Sequence, residues 1–321
     1  MIRSSDGVSF EASASAIIDR RTLLAGAASV AAASVWPRTA RPASQHCFAH
    51  GDFQVAVLSD GQFDLPSSIV APDASADEWA EIETRLGGGG GAVTARCNIP
   101  LIARGGDLIL VDLGGGGRFA PTEGRLEAAV LAAGHDPSAV TKVLLTHAHP
   151  DHLWGMLRPD GALRYPNATY YLGEAEMAFW MDPDFGSTMP EGLRAFAAGS
   201  QRDIAAIEDR IVLVRDGAEV APGIHAIATP GHTPGHMSYA LMGPETLIVT
   251  GDVVTNEIVS IEHPRWHFGN DTDKQAAARA RERFVDRAAA DRLRLLGYHF
   301  AYPGLGTVES RGTAFRFVAD V

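Results

Sequence analysis

Hydrophobic residues along the chain fall into short runs separated by turns that contain glycine, a pattern typical of a protein rich in strands. The runs at 54–58, 98–104 and 107–113 predict strands, and the last two face each other across Gly105-Gly106 as a hairpin. Further strands are predicted at 140–146, 168–172, 211–214, 223–229, 236–242 and 245–251.

Segments with helical spacing of apolar residues lie between these strands. They predict helices at 122–133, 173–181 and 191–209, and a long helix over 273–296 that Gly297 ends. The glycine run 87–91 cannot form regular structure and predicts a mobile loop. Both halves of the chain mix strands with covering helices, and no linker separates them. We therefore expect one domain in which two sheets pack face to face inside helical layers.

The composition is that of a globular protein, with 46% hydrophobic positions among 321 residues. A net charge of −12 repels phosphate backbones and argues against binding to nucleic acid. The two cysteines, Cys47 and Cys97, exclude a disulfide scaffold and a cysteine-rich zinc module. They leave open whether one disulfide forms.

The N-terminal segment has the features of an export signal. Arg20-Arg21 precedes a run of small and apolar residues that is too short to span a bilayer comfortably. It resembles the twin-arginine motif of bacterial signals, with a release zone up to Ala43. An ordinary N-terminal helix or a membrane anchor is the alternative. If residues 1–43 are removed, a single domain over 44–321 with a net charge of −14 remains, in the periplasm or secreted, without a stable membrane anchor.

A cluster of histidines follows the predicted strand 140–146 directly. Residues two apart in an extended segment point to the same side, so His147 and His149 present their imidazoles together. Asp151 and His152 enter the next turn and face the same cavity from another angle. Such residues bind divalent ions, with zinc as the default and manganese, cobalt or iron as alternatives. Four of them in six positions are enough for half of each of two metal sites, whereas the alternative is a polar loop with chance histidines.

Three later segments each offer one more ligand at a strand or loop edge: His232, Asp252 and His299. The complete order of these residues resembles the metallo-β-lactamase superfamily, and Leu110-Val111-Asp112 resembles its second-strand signature. Over most of the chain after the signal, the sequence is similar to the exported methyl parathion hydrolase group. The resemblance implies an α+β fold, the four-layer αββα sandwich.

The resemblance also implies a dinuclear metal site. Two ions roughly 3.5 to 4 Å apart share one hydroxide, lower its pKa and polarise the oxygen under attack. Asp151 is expected to act in catalysis as well, by orienting the hydroxide or accepting a proton. The implied ligands are His147, His149 and His232 for one ion, Asp151, His152 and His299 for the other, and Asp252 as the bridge.

The implied activity is hydrolysis of aryl phosphotriesters and esters. In the methyl parathion hydrolase group aromatic residues line the entrance, and by similarity Phe119, Trp180 and Phe196 are expected to bind substrate here. His236 is expected to orient a ligand imidazole, because it lies four residues beyond His232.

Two other functions stay open. The same metal motif serves lactonases that degrade acyl-homoserine lactone signals in quorum quenching. A metal-binding sensor without turnover is the alternative from another class. Asp252 argues against a β-lactam substrate, because the true β-lactamases of this superfamily lack a bridging aspartate there. The expected partner is a small ester, lactone or phosphotriester, and a homodimer stays open.

Overall fold

A computed structural model describes residues 45–188, 191, 194–312 and 314–320. This part of the chain forms two seven-stranded sheets. In the first sheet the strands lie side by side in chain order: β1 (His46–His50), β2 (Phe53–Pro66), β3 (Ala92–Arg104), β4 (Asp107–Val111), β5 (Lys142–Leu144), β6 (Thr169–Gly173) and β7 (Ile211–Val214).

The second sheet is also ordered along the chain. Adjacent strands in the second sheet are antiparallel, except that the fourth and fifth strands are parallel. In the first sheet the strands are antiparallel up to β4 and parallel from β4 to β7. The strands of the second sheet are β8 (Glu219–Ala221), β9 (Ile224–Ala228), β10 (Met237–Met242), β11 (Thr246–Val249), β12 (Arg294–Leu296), β13 (Leu305–Arg311) and β14 (Ala314–Ala319).

Helices fill the connections between the strands, and side chains cap two of the longer ones. Ser75 and Glu78 form a capping box at the second helix, and Asp273 accepts a hydrogen bond from Ala276 N–H at the last. The helices are α1 (Ser67–Val70), α2 (Ala76–Arg85), α3 (Leu126–Ala132), α4 (Pro150–Leu153), α5 (Glu174–Trp180), α6 (Phe185–Thr188), α7 (Arg194–Ala205), α8 (Val259–Glu262) and α9 (Lys274–Ala290).

The layers follow from alternation along the strands. In β2, Ala56 and Leu58 pack with helices α3 and α7 on one face, whereas Val55 and Val57 pack against the second sheet on the other. The outer face of the second sheet forms a third cluster with α9. The order is therefore helices, sheet, sheet, helices, which confirms the predicted four-layer αββα fold.

The predicted hairpin is confirmed, since β3 and β4 pair from Arg104 and Asp107 onward. The first strand was predicted too short. It continues past Asp60-Gly61 to Pro66, because these two residues lie in a bulge between Ser59 and Gln62. The pairing with β3 resumes after the bulge.

The long helix was predicted to run to Leu296, and this is wrong. It ends at Ala290, and Arg292 then takes a left-handed conformation with φ of 53°. From there the chain is extended. Leu295 packs on the helical side of the second sheet and Leu296 packs between the sheets, which is the alternation of a strand.

The glycine run lies in the loop between α2 and β3, outside helices and strands, as predicted. Gly91 holds its end in place, donating its N–H to Glu83 Oε1 at 2.6 Å and accepting from Ser67 N–H at 2.9 Å. The mobility of this loop stays a prediction.

All described residues fall in one compact unit. The predicted export signal over 1–43 lies outside them. Among the helices that are described, none combines the length and apolar character needed to cross a bilayer.

Candidate metal centre

The candidate ligands lie where strands end. β4 and β5 run parallel, as do β11 and β12, so the strands of each pair finish at the same edge of their sheet. The segment beginning at His147 follows β5, Asp252 follows β11, and His299 follows β12, whereas His232 lies between β9 and β10. Because the sheets pack face to face, these loops meet and bring all seven predicted ligands together.

Three imidazoles form the first group of ligands. His147 Nε2 lies 2.9 Å from His149 Nδ1, which lies 2.9 Å from His232 Nε2. At these distances the three nitrogens cannot all carry protons that point at one another. Their lone pairs converge instead, and this is a donor set that zinc accepts.

The second group combines two imidazoles with a carboxylate. Asp151 Oδ2 lies 3.4 Å from Nε2 of His152 and 3.4 Å from Nε2 of His299. The side chains of both histidines are almost fully buried, whereas that of Asp151 keeps 11% of its surface exposed. The carboxylate therefore remains within reach of a small substrate.

Asp252 lies between the two groups. Its Oδ1 is 3.4 Å from His152 Nε2, and its Oδ2 is 3.4 Å from His299 Nε2 and 3.3 Å from His232 Nε2. One carboxylate thus contacts ring nitrogens of both groups. This is the placement that the predicted bridging role requires.

Two atoms at the centre have no hydrogen-bond partner among the described residues. They are Nε2 of His152 and Oδ1 of Asp252, and both are buried. Burying such atoms without a partner costs free energy, which a bound cation would offset. The converging nitrogens and carboxylate oxygens therefore fit a divalent metal site, and zinc suits this mixture of donors.

Burial keeps two imidazoles of the first group neutral. It lowers the pKa of His147 well below the ordinary value, and it lowers the pKa of His149 to about 3, with the neighbouring imidazoles adding to the effect. A histidine must be neutral to bind a metal ion. These two side chains are in that form at neutral pH.

The carboxylates have the opposite effect on the second group. Burial opposes the charged form of His152 and His299, but Asp252 and Asp151 outweigh it and raise the pKa of both imidazoles. In return, the two histidines lower the pKa of Asp252 well below its ordinary value despite burial. The centre therefore attracts positive charge, which a divalent cation supplies more strongly than protons do.

Asp112 orients His152 from behind. Its Oδ2 accepts from His152 Nδ1–H at 2.8 Å, while Thr146 donates its N–H and its hydroxyl to the same carboxylate. Asp112 has a left-handed backbone, with φ of 65°. Such strain in a residue other than glycine is characteristic of functional sites.

Two further hydrogen bonds fix the outer nitrogens of His232 and His299. His232 Nδ1 donates to Asp271 Oδ1 at 2.9 Å, and His299 Nδ1 donates to the carbonyl of Arg96 at 2.8 Å. The sequence analysis missed Asp271. Its only signal was an acidic residue in the turn before a helix.

His236 contacts the predicted bridging residue, Asp252, rather than orienting an imidazole. Its Nε2 accepts from the backbone N–H of Asp252 at 2.8 Å, and its Nδ1 lies 2.7 Å from the Thr229 hydroxyl. The expected partner of His236 was a ligand ring, but the chain places it behind the Asp252 loop, where it sets the position of the carboxylate.

A row of aromatic rings leads outward from the centre. Phe63 lies edge-on to His299 at 5.7 Å, Phe119 lies 5.1 Å from Phe63, and Phe196 lies 5.9 Å from Phe119. All three phenylalanines are partly exposed. The row contains Phe119 and Phe196, whose binding of substrate stays a prediction. It begins with Phe63, which was missed because it lies in the unpredicted half of β2.

Trp180 lies elsewhere than expected. Its side chain is 1% exposed, and its ring packs edge-on against His149 at 5.7 Å. Its indole N–H donates to Glu176 Oε1. Trp180 therefore supports a candidate ligand from behind and does not line the entrance, because α5 turns this face toward the core.

The sequence profile of the metallo-beta-lactamase superfamily matches residues 94–302, nearly two thirds of the chain. The chain belongs to this superfamily. The matched span contains all seven candidate ligands. Members that are hydrolases, including lactonases, depend on metal ions, so membership agrees with the predicted class of enzyme, a metal-dependent hydrolase.

Curated relatives match part of the chain. The N-acyl homoserine lactonase AttM of Azorhizobium caulinodans is 30% identical over 131 residues, and that of Agrobacterium fabrum is 31% identical over 135 residues. These alignments cover 39% and 38% of this chain, and 45% and 44% of the two lactonases. The match thus spans less than half of each relative.

Solved structures match over more of the fold. AidC, described as a dizinc quorum-quenching lactonase in complex with a product, has a TM-score of 0.81 at 26% identity, covering 86% of this chain and 97% of its own. The hydrolase AbOPH of the beta-lactamase superfamily has the same TM-score at 27% identity, covering 88% and 99%.

Proposed function

We propose that this protein is a hydrolase that holds two divalent ions, zinc by default, and opens the ring of N-acyl homoserine lactones. The observation that carries the proposal is Asp252, whose carboxylate lies within 3.4 Å of ring nitrogens from both ligand groups. Relatives described as lactonases support the substrate class. The proposed ligands are His147, His149 and His232 for one ion, Asp151, His152 and His299 for the other, and Asp252 for both.

When bound, the ions would supply Lewis acidity toward the substrate carbonyl and lower the pKa of water. Asp151 supplies the proton transfer. Burial raises its pKa, but His152 and His299 outweigh burial and keep the carboxyl ionised. Its carboxylate accepts a proton from the attacking water and returns it to the ring oxygen as the C–O bond breaks. One water is consumed, and the product is the N-acyl homoserine.

The aromatic row binds the apolar part of the substrate. Phe63, Phe119 and Phe196 extend from His299 toward solvent, so an acyl chain can lie along them while the lactone carbonyl faces the metal ligands. Covering the centre in this way also excludes bulk water, which strengthens the electrostatic interactions inside it.

Hydrolysis of aryl phosphotriesters and esters is the second candidate. The same three phenylalanines favour it, because their edge-on arrangement also suits an aromatic leaving group. The similarity to the methyl parathion hydrolase group points in the same direction. Both reactions use the same metal ligands, so the substrate has to be decided by measurement.

The test compares kcat/KM of the zinc-loaded protein on N-hexanoyl homoserine lactone and on an aryl dialkyl phosphotriester. We expect the lactone to be preferred at least a hundredfold, which corresponds to about 2.7 kcal/mol of transition-state discrimination. The reverse preference would establish the second candidate. A protein that binds zinc but hydrolyses neither substrate would be a metal-binding sensor and would refute both.

We also propose export through the twin-arginine signal at Arg20-Arg21, which places the enzyme in the periplasm. A tagged chain in which both arginines are replaced by lysine should stay in the cytoplasm on cell fractionation. Periplasmic recovery of that variant would contradict the proposal.

A further inference from the structure

A buried carboxylate outside the ligand set joins the two loops that carry the first group of imidazoles. Glu176 lies in α5 and is fully buried. Its Oε1 accepts the backbone N–H of Ala148 at 2.9 Å and the indole N–H of Trp180 at 2.6 Å. Its Oε2 accepts the hydroxyl of Thr233 at 2.6 Å and the N–H of Gly235 at 3.1 Å.

Each oxygen of Glu176 serves a different ligand loop. Ala148 lies between His147 and His149, whereas Thr233 directly follows His232. One rigid carboxylate therefore fixes the distance between two segments that are far apart in the chain but must present converging nitrogens.

Other contacts show that this junction is closely packed. The carbonyl of Ala148 accepts the Ser200 hydroxyl at 2.7 Å, so both backbone polar groups of that residue are held. A Cβ on Gly235 would lie 1.9 Å from the Glu176 nitrogen, and one on Gly173 would lie 2.4 Å from the Gly235 oxygen. The loop backbone thus lies directly against the start of α5, which only glycine permits.

The second group of ligands is oriented by different residues. Asp112 accepts from His152 Nδ1, and the Arg96 carbonyl accepts from His299 Nδ1. Among the described residues, Glu176 makes no hydrogen bond to either of these imidazoles or to their partners. Glu176 therefore contacts the loops of the first group directly, and in the described part of the chain it is not hydrogen-bonded to the groups that orient the second.

We propose that Glu176 is a positioning residue that sets the metal affinity of the site formed by His147, His149 and His232, while leaving the other site largely unaffected. The inference rests on the proposed function, because it assumes that both groups bind metal. Four donors face the carboxylate, two at each oxygen, so a carboxamide in its place must turn its NH2 group toward two of them. Gly235 N–H and Ala148 N–H cannot reverse their role, and one ligand loop is released.

The test is metal retention against a chelator, measured on wild type, Glu176→Gln and Thr233→Val. Glu174→Gln is the matched control, since it changes the same chemical group two residues away, where Glu174 is exposed and pairs with Arg215 at 2.8 Å. Loss of a partner that orients a ligand lowers metal affinity by about 10- to 100-fold. We therefore expect Glu176→Gln to retain one ion where wild type and Glu174→Gln retain two.

A cobalt-substituted sample adds a readout of the ligand field. In Glu176→Gln the visible absorption of the weakened site should change, while the absorption of the other site should persist. Thr233→Val removes one donor only, so it is expected to weaken the same site and still to fold if Glu176→Gln does not. Retention of two ions by wild type and by both variants would overturn this inference alone. Absence of bound metal in wild type would overturn the proposed function together with it.

Discussion

Asp271 couples a candidate ligand to a buried cation. Its Oδ1 accepts from His232 and its Oδ2 accepts from Arg281 Nη2 at 2.9 Å, while Phe268 N–H donates to the same carboxylate at 3.3 Å. Arg281 is 2% exposed, so its charge depends on this partner and on two backbone carbonyls. Asp271 therefore both orients a candidate metal ligand and neutralises a buried charge that the fold depends on.

We expect Asp271→Asn to lower the free energy of unfolding by about 3 kcal/mol, because it leaves a buried guanidinium without its countercharge. Urea denaturation of the metal-free protein measures this. Asp291→Asn is the control, since its pair with Arg287 is exposed and should contribute less than about 0.5 kcal/mol. Equal losses in the two variants would contradict the assigned role.

Glu123 is a second buried carboxyl near the centre. Its Oε1 accepts the Cys97 thiol at 3.2 Å and its Oε2 accepts Ala120 N–H at 3.0 Å. Burial, and then the charge of Asp151, raises its pKa from 4.5 to about 7. The folded state therefore holds a proton that the unfolded state has already lost.

This shift makes stability depend on pH. The contribution of Glu123 is fully present below pH 4.5 and is lost as pH rises to about 7, a change of about 3 kcal/mol. Glu123→Gln should remove this contribution from the slope when urea denaturation of the metal-free protein is repeated across this range. Glu81→Gln, on the exposed face of α2, should leave it unchanged. A wild-type slope that persists in Glu123→Gln would refute the assignment.

The candidate ligands could be predicted from the sequence, whereas the residues that support them could not. His147, His149 and Asp151 lie two residues apart within one short segment, which is a spacing typical of metal-binding motifs. Asp271 and Glu176 have no such spacing, since His232 lies 39 residues from Asp271, and Ala148 and Thr233 lie 28 and 57 residues from Glu176. Their roles depend on tertiary contacts, and only the folded chain displays these.

At the scale of elements, turn signals were the main source of error. Asp60-Gly61 indicated the end of a strand, yet β2 continues through a bulge and stays paired with β3 as far as Pro66. At the end of α9 the error was the reverse, since the Ala- and Arg-rich pattern continued past the true end. After that helix Arg292 takes a left-handed conformation, which glycine usually adopts. An arginine in the sequence gives no sign of it.

Helix α7 is placed by a contact that only glycine allows. A Cβ on Gly199 would lie 2.3 Å from Cζ2 of Trp154, whose ring packs edge-on to Phe196 at 6.0 Å. The Arg118 guanidinium lies 5.7 Å from the same indole, beside Phe119. The tryptophan thus packs against Phe196, the phenylalanine that α7 contributes to the aromatic row.

Gly199→Ala should displace this indole and raise KM for N-hexanoyl homoserine lactone several-fold, with metal content unchanged. Overpacking against the indole should lower the free energy of unfolding by about 1 to 3 kcal/mol. The higher helix propensity of alanine should restore about 1 kcal/mol of it. Ala198→Gly, at the exposed neighbouring position, loses that propensity but leaves the indole in place. If both variants keep the wild-type KM, Trp154 does not set the shape of the entrance.

At the scale of the whole molecule, the two sheets bring together ligands that no single segment contains. Parallel pairs in each sheet end at one edge, so the residues that follow β5, β11 and β12 meet there although they span positions 147 to 299. The sequence allowed this architecture to be predicted because the ligand order resembles a known family. The substrate could not be predicted, because it depends on how the aromatic row is shaped by distant contacts.

The most direct test of the account is the number of metal ions bound per chain, measured by mass spectrometry of the zinc-loaded protein and of Asp252→Ala together with lactonase activity. We predict two ions in wild type, and one or fewer in the variant with activity lost. A wild-type protein that hydrolyses the lactone at full rate with no bound metal in excess chelator would contradict the two-ion centre.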